Sequence, residues 1–130
     1  MPTSRVIARG RRLAESLMTD TCTVTRFGEK AADGRGGTTR PATVIYEGKC
    51  RIPPPTQSLT NLTPEAAGHE YTVLRLEVHF PVGTFAPMVG DVITVLTAKH
   101  DPLLPGRVYR VVQPHHGATT AYRLGVEEVL

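Results

Sequence analysis

The last third of the chain constrains its fold most. Val89-Gly90-Asp91-Val92-Ile93-Thr94-Val95, then Asp101-Pro102-Leu103-Leu104-Pro105-Gly106-Arg107-Val108-Tyr109-Arg110-Val111, then Ala121-Tyr122-Arg123-Leu124-Gly125-Val126-Glu127-Glu128-Val129 read as short strands in succession, separated by Pro and Gly turns. In the last of them Tyr122, Leu124 and Val126 point one way and Arg123 and Glu127 the other, the period of two that a half-buried strand requires. Strands this short, with turns this close, build a small antiparallel β-barrel or sandwich, and the chain is expected to be mainly β.

The same pattern extends upstream. Over residues 70–80, Thr72, Leu74, Leu76, Val78 and Phe80 share one face, and Tyr71, Val73, Arg75, Glu77 and His79 the other. Val92 to Leu96 is apolar on both faces, so it is expected to be covered on both sides, by the helix or by another protein. Cys22 to Phe27 is a further alternating strand, with a return strand at Ala42 to Tyr46 continued by Cys50-Arg51-Ile52. Between them residues 28–41 form a long loop with Asp33-Gly34-Arg35-Gly36-Gly37 at its turn. Pro53, Pro54 and Pro55 cannot donate to a ladder, so they end the sheet and open a second long loop, residues 53–69, anchored only by Leu59 and Leu62. Residues 3–19 read as an amphipathic helix: Val6, Ile7, Gly10, Leu13, Ala14, Leu17 and Met18 fall on one broad face, with Arg5, Arg9 and Arg12 opposite. The organisation is therefore one domain, residues 1–130, with that helix ahead of a barrel over residues 21–130.

Composition narrows the possibilities. With 130 residues, no Trp and only seven Phe and Tyr, the core must be aliphatic and modest, and oligomerisation would support it. The net charge of +3 is concentrated at the start: residues 1–40 carry eight Lys or Arg against four Asp or Glu. That excess suits contact with phosphates or an acidic partner but is too small for a dedicated DNA reader. Cys22 and Cys50 lack CxxC spacing and read as buried thiols. No stretch approaches the roughly 20 apolar residues that span a bilayer, and no apolar signal core follows the N-terminal arginines, so no membrane contact and a reducing cytoplasmic setting are expected.

No catalytic constellation emerges. His115-His116 sits in a turn where adjacent side chains diverge, and His69, His79 and His100 have no acidic residue at ligand spacing, so neither a metal nor another cofactor is expected. Ser4, Ser16 and Ser58 stand in no nucleophile-elbow pattern, and Gly34-Arg35-Gly36-Gly37 lacks the Lys-Ser or Lys-Thr of a phosphate loop. The expected activity is not enzymatic. The candidate contacts are Arg5, Arg9, Arg12, Arg35 and Arg40 for DNA or an acidic partner, Val6, Leu13 and Leu17 for helix docking, and Pro53, Pro54, Pro55, Leu59 and Leu62 for a channel or partner loop.

Taken together, the short basic helix, the Thr-Cys-Thr-Val-Thr strand, Tyr46-Glu47-Gly48-Lys49-Cys50-Arg51-Ile52 and the three terminal strand segments resemble head-tail connector proteins of long-tailed phages infecting actinobacteria, most of all the head-to-tail stopper, or head-completion, family. The resemblance covers most of the chain from residue 17 onward and matches best over the final forty residues. It implies a β-barrel subunit of a homo-oligomeric ring in the virion neck, assembled in the host cytoplasm. Such a ring sits between the portal and its adaptor on one side and the tail terminator or tail tube on the other. It closes or lines the channel for packaged double-stranded DNA, which it contacts without sequence specificity. Another ring component, such as the tail terminator, and a small nucleic-acid-binding barrel remain alternatives.

Overall fold

The computed structural model describes residues 2–32, 34–54, 56–59, 72–114 and 119–129. Among these residues one helix, α1 (Pro2–Ser16), precedes nine strands: β1 (Asp20–Phe27), β2 (Ala31–Ala32), β3 (Thr38–Thr39), β4 (Ala42–Cys50), β5 (Thr56–Leu59), β6 (Thr72–Phe80), β7 (Val92–Thr97), β8 (Val108–Gln113) and β9 (Tyr122–Val129). Seven strands form one antiparallel sheet in the order β4-β1-β7-β8-β9-β6-β5, and β2 pairs with β3 in a separate two-residue ladder. The large sheet curls into a half-barrel. Just beyond β4 its two sides meet: Arg51 N donates to His79 O at 2.9 Å and His79 N to Arg51 O at 2.8 Å.

Alternation sets which residues fill the half-barrel. Cys22 and Val24 of β1, Val78 and Phe80 of β6, Ile93 and Val95 of β7, Tyr109 and Val111 of β8, and Leu124 and Val126 of β9 all point inward and are buried. Each large apolar side chain buried this way contributes about 1.5–3 kcal/mol. The few aromatic residues are concentrated rather than scattered. Phe85 stacks on Tyr46 at 5.3 Å between ring centroids and meets Phe80 edge-on at 5.0 Å, with Tyr122 edge-on beyond it. Burial pushes the Tyr46 hydroxyl up to about 12, and it donates to Lys49 O at 2.6 Å.

Four sequence expectations are corrected. The helix ends at Ser16, not residue 19, because Met18 is drawn into the core and Asp20 already begins β1. There Ile52 N and Lys99 N donate to its carboxylate, each at 3.4 Å. β4 runs unbroken to Cys50: Gly48 stays in the ladder opposite Cys22, and a Cβ at Gly48 would stand 2.9 Å from the Tyr46 hydroxyl. The expected loop 53–69 contains β5, whose Thr56–Leu59 backbone pairs with residues 72–75 of β6. Finally, of the two covers expected for the second face of β7, the helix or another protein, α1 is not one: it packs elsewhere and leaves Leu96 43% exposed.

Candidate interaction surface

Three surfaces hold the residues that the sequence singled out. On α1, the side bearing Ile7, Gly10 and Ala14 is half-buried, and the contacts with the half-barrel are few. Gly10 passes so close to Thr120 that a Cβ there would lie 2.6 Å from Thr120 Cγ2. Arg11 Nε donates to Thr119 O at 2.8 Å, and Glu15 faces Lys49 Nζ at 3.5 Å. Other large apolar residues here are left outside: on the helix Val6 is 67% exposed and Leu13 66%, and Leu17, just past its end, is 47% exposed. At about 100° per residue Val6 and Leu13 fall on one narrow stripe, which Arg9 borders, with Arg5 and Arg12 further round the helix. All three arginines are exposed. The three residues expected to dock the helix thus point away from the protein's own core.

The second surface is a cleft of about 570 Å³ lined by Arg26, Phe27, Arg40, Met88, Val89 and Arg110, among others. Its frame is a charged clamp. Arg26 Nε and Nη2 donate to the two oxygens of Asp91, both at 2.9 Å, and Nη2 also donates to Ala86 O at 2.6 Å. Met88 N donates to Asp91 Oδ2 at 2.9 Å, which fixes the turn from Ala86 to Asp91. Donating to the Asp91 carboxylate raises the Arg26 pKa above its ordinary value. Within that turn Gly90 has φ of 95°, a left-handed conformation that any side chain would strain, and its N–H donates to Val111 O at 2.9 Å. The clamp leaves Met88 and Val89 exposed on the rim beside Phe27. Arg110 is ion-paired with Glu127, and among the described residues Arg40 has no ion-pair partner.

The third surface is a cleft of about 360 Å³ beside Pro53 and Pro54, lined by Leu76, Leu104, Tyr109, Asp20, Asp101 and Glu128, among others. Pro53 is half-buried and Pro54 exposed. Leu59 supplies backbone to the last β5 pair, opposite Thr72, whereas Pro55 and Leu62 lie outside the described residues. Arg35 is exposed in the turn between β2 and β3, and Arg40 follows that ladder. The candidate arginines are not gathered into one site: Arg40 joins Arg26 and Arg110, while Arg5, Arg9 and Arg12 line neither cleft. Sequence reasoning missed Arg26, Asp91 and Arg110, since 65 residues separate the two halves of the clamp and only the Gly90-Asp91 turn signal hinted at it.

Elsewhere the polar chemistry is internal. Cys22 and Cys50 are fully buried free thiols, and their mutual hydrogen bond, together with burial, pushes the Cys50 thiol up. Among the described residues no three His, Cys, Asp or Glu side chains gather into a group that could hold a metal ion, and His115-His116 lies outside them. No helix among the described residues is long and apolar enough to cross a membrane.

No curated protein and no solved structure matches the chain. Residues 10–127 match a family of unknown function, DUF6093, and across that span, which takes in nearly all of the half-barrel, the protein belongs to that family.

Proposed function

We propose that this protein is a structural component of a phage neck, a head-to-tail stopper whose copies form a ring between the portal-adaptor complex and the tail. The observation that carries this reading is the placement of its exposed apolar side chains. Val6 and Leu13 on α1 with Leu17 just past it, and Phe27, Met88 and Val89 lining the larger cleft, are exposed as two groups on a small domain. Coherent exposed apolar patches mark surfaces that other proteins cover. A ring subunit needs several such surfaces at once, one for each neighbour and one for each adjoining ring. The resemblance of the strand segments to head-completion proteins supplies the setting.

In that setting the half-barrel acts as a rigid body and its loops reach the channel. The segment that follows Pro53-Pro54 has no Lys or Arg between residues 53 and 68, which suits a closure that must later release DNA without gripping its phosphates. Arg40 and the α1 arginines serve protein contacts, with DNA contact non-specific and salt-sensitive. The test is a phage carrying a stop codon early in this gene. The reading predicts DNA-filled heads that leak their genome and carry no tails, rescued by the wild-type chain in trans. Tailed, infectious particles lacking the protein would end it. The nucleic-acid-binding alternative predicts instead a free protein that binds duplex DNA with a steep salt slope.

A further inference from the structure

We propose that α1 of one copy seats its exposed stripe in the Leu76-Leu104-Tyr109 cleft of a neighbouring copy, so that copies of this chain join head to tail. The proposal deepens the ring reading and rests on it only for closure of the chain of copies.

The first argument is charge. The helix carries four arginines against one carboxylate, with no acidic residue in its first turn and no basic residue in its last. That distribution opposes the helix dipole, which favours carboxylates at the N-terminus and cations at the C-terminus by about 0.3–1 kcal/mol each. The arginines are therefore not placed to stabilise their own helix. Arg11 is engaged with Thr119 O, but Arg5, Arg9 and Arg12 have no ion-pair partner among the described residues. The cleft has the opposite balance. Its lining includes three carboxylates, Asp20, Asp101 and Glu128, against the single guanidinium of Arg107. Arg107 pairs with Glu128 at 3.8 Å and also donates to Leu103 O; Asp20 is buried and accepts from Ile52 N and Lys99 N, so the exposed carboxylate with no cation at ion-pair distance among the described residues is Asp101, which accepts from Leu103 N.

The second argument is shape and polarity. The floor of the cleft is apolar, and its volume of about 360 Å³ is on the order of two large apolar side chains. The stripe offers Val6 and Leu13, with Leu17 just past the helix end, all turned away from the helix's own body, so the helix keeps its Gly10–Thr120 and Arg11–Thr119 contacts while it docks on a second copy. The larger cleft is the poorer seat, because its Arg26 and Arg110 already hold Asp91 and Glu127 and its Arg40 would repel the helix arginines. Helix and cleft are different surfaces, so the contact is heterologous, the kind that generates rings when the rotation closes.

The experiment uses the full chain and two charge-reversed variants. One carries Arg5→Glu, Arg9→Glu and Arg12→Glu; the other carries Asp101→Lys and Glu128→Lys. All these residues are surface groups, and circular dichroism checks that both variants fold. Sedimentation velocity of the wild-type chain is expected to show concentration-dependent association that weakens with salt. Each variant alone should associate at least about tenfold more weakly, because like charges now face each other. An equimolar mixture should restore association, since each reversed surface then meets a complementary one. Leu13→Asp provides a second variant that removes the apolar anchor without reversing the arginines. Association undiminished in both charge variants would overturn the proposal and leave the ring built through another surface. Mixing without rescue would overturn it as well. A wild-type chain that stays monomeric up to about 1 mM would also overturn it, leaving the neck reading to the phage experiment.

Discussion

Replacing Asp91 by Ala should destabilise the protein by about 2–3 kcal/mol, as judged from how its carboxylate is held. The side chain is 2% exposed and receives three hydrogen bonds, two from Arg26 and one from Met88 N, each at 2.9 Å. Breaking a fully buried ion pair costs about 3–5 kcal/mol, whereas an exposed pair contributes at most about 1 kcal/mol. The clamp lies between, because the Arg26 side chain is 33% exposed and water can solvate it once its partner is gone. Met88 N–H loses its acceptor in the same substitution, and a part-buried hydrogen bond of this kind contributes about 0.5–1.5 kcal/mol. Asp91→Asn keeps an acceptor for Met88 and for one guanidinium nitrogen, so its loss should be about 1 kcal/mol. At roughly 3–5 °C per kcal/mol for a chain of this size, the melting temperature of the Ala variant should fall by on the order of 10 °C. Urea unfolding measures the free energy, and amide exchange at Gly90, whose N–H bonds Val111 O, reports whether the turn itself loosens. A loss below about 1 kcal/mol for Asp91→Ala would show that the clamp is solvated like an exposed pair, and the reasoning would fail.

Other consequences are equally direct. Burial lowers the His79 pKa and its hydrogen bond to Glu77 only partly restores it, so the folded protein binds fewer protons there than the unfolded chain. The stability from neutral His79 is present above the unfolded value of about 6.5 and is lost as pH falls through the folded pKa. Urea midpoints from pH 8 to 5 should therefore drop more steeply for wild type than for His79→Gln, and parallel curves would contradict this. Gly10→Ala raises helix propensity by about 1 kcal/mol, but its Cβ meets Thr120 Cγ2 at 2.6 Å, so α1 should lift off and its amides exchange faster. Adding Thr120→Ser removes that methyl and should restore protection; a helix unchanged in Gly10→Ala alone would contradict the packing. Cys22 and Cys50 should resist a thiol reagent in the native protein and both react in denaturant, and rapid native labelling would contradict their burial.

The half-barrel was legible where side chains alternate. Leu76, Val78 and Phe80 of β6 and Leu124 and Val126 of β9 turn inward as the period of two requires. β5 was not legible, since Thr56-Gln57-Ser58-Leu59 has no alternating pattern of its own and becomes a strand only by pairing with distant β6. Glu47-Gly48-Lys49 resembled a break, yet backbone pairing with β1 carries the strand through, and the missing Cβ leaves room for Tyr46. For the candidate site, the α1 stripe could be read because helical spacing places Val6 and Leu13 together. The convergence of Arg26, Arg40 and Arg110 could not, because β1, the stretch after β3 and β8 meet only once the sheet has curled.

That difference bears on function. The exposed stripe is a local property of the sequence, whereas the clefts that a neighbour would fill are products of the tertiary fold. On the proposed reading these open surfaces are contact surfaces; in the structure Arg26 and Asp91 hold the rim of one cleft, and the buried side chains of Leu104 and Tyr109 line the other.

The most direct test is electron cryomicroscopy of the neck of virions whose genome encodes this chain. A symmetric ring of nine-stranded subunits between the portal-adaptor complex and the tail tube is predicted, with the α1 stripe and both clefts covered and the loop after Pro54 turned to the channel. A neck fully accounted for by other chains would contradict the account.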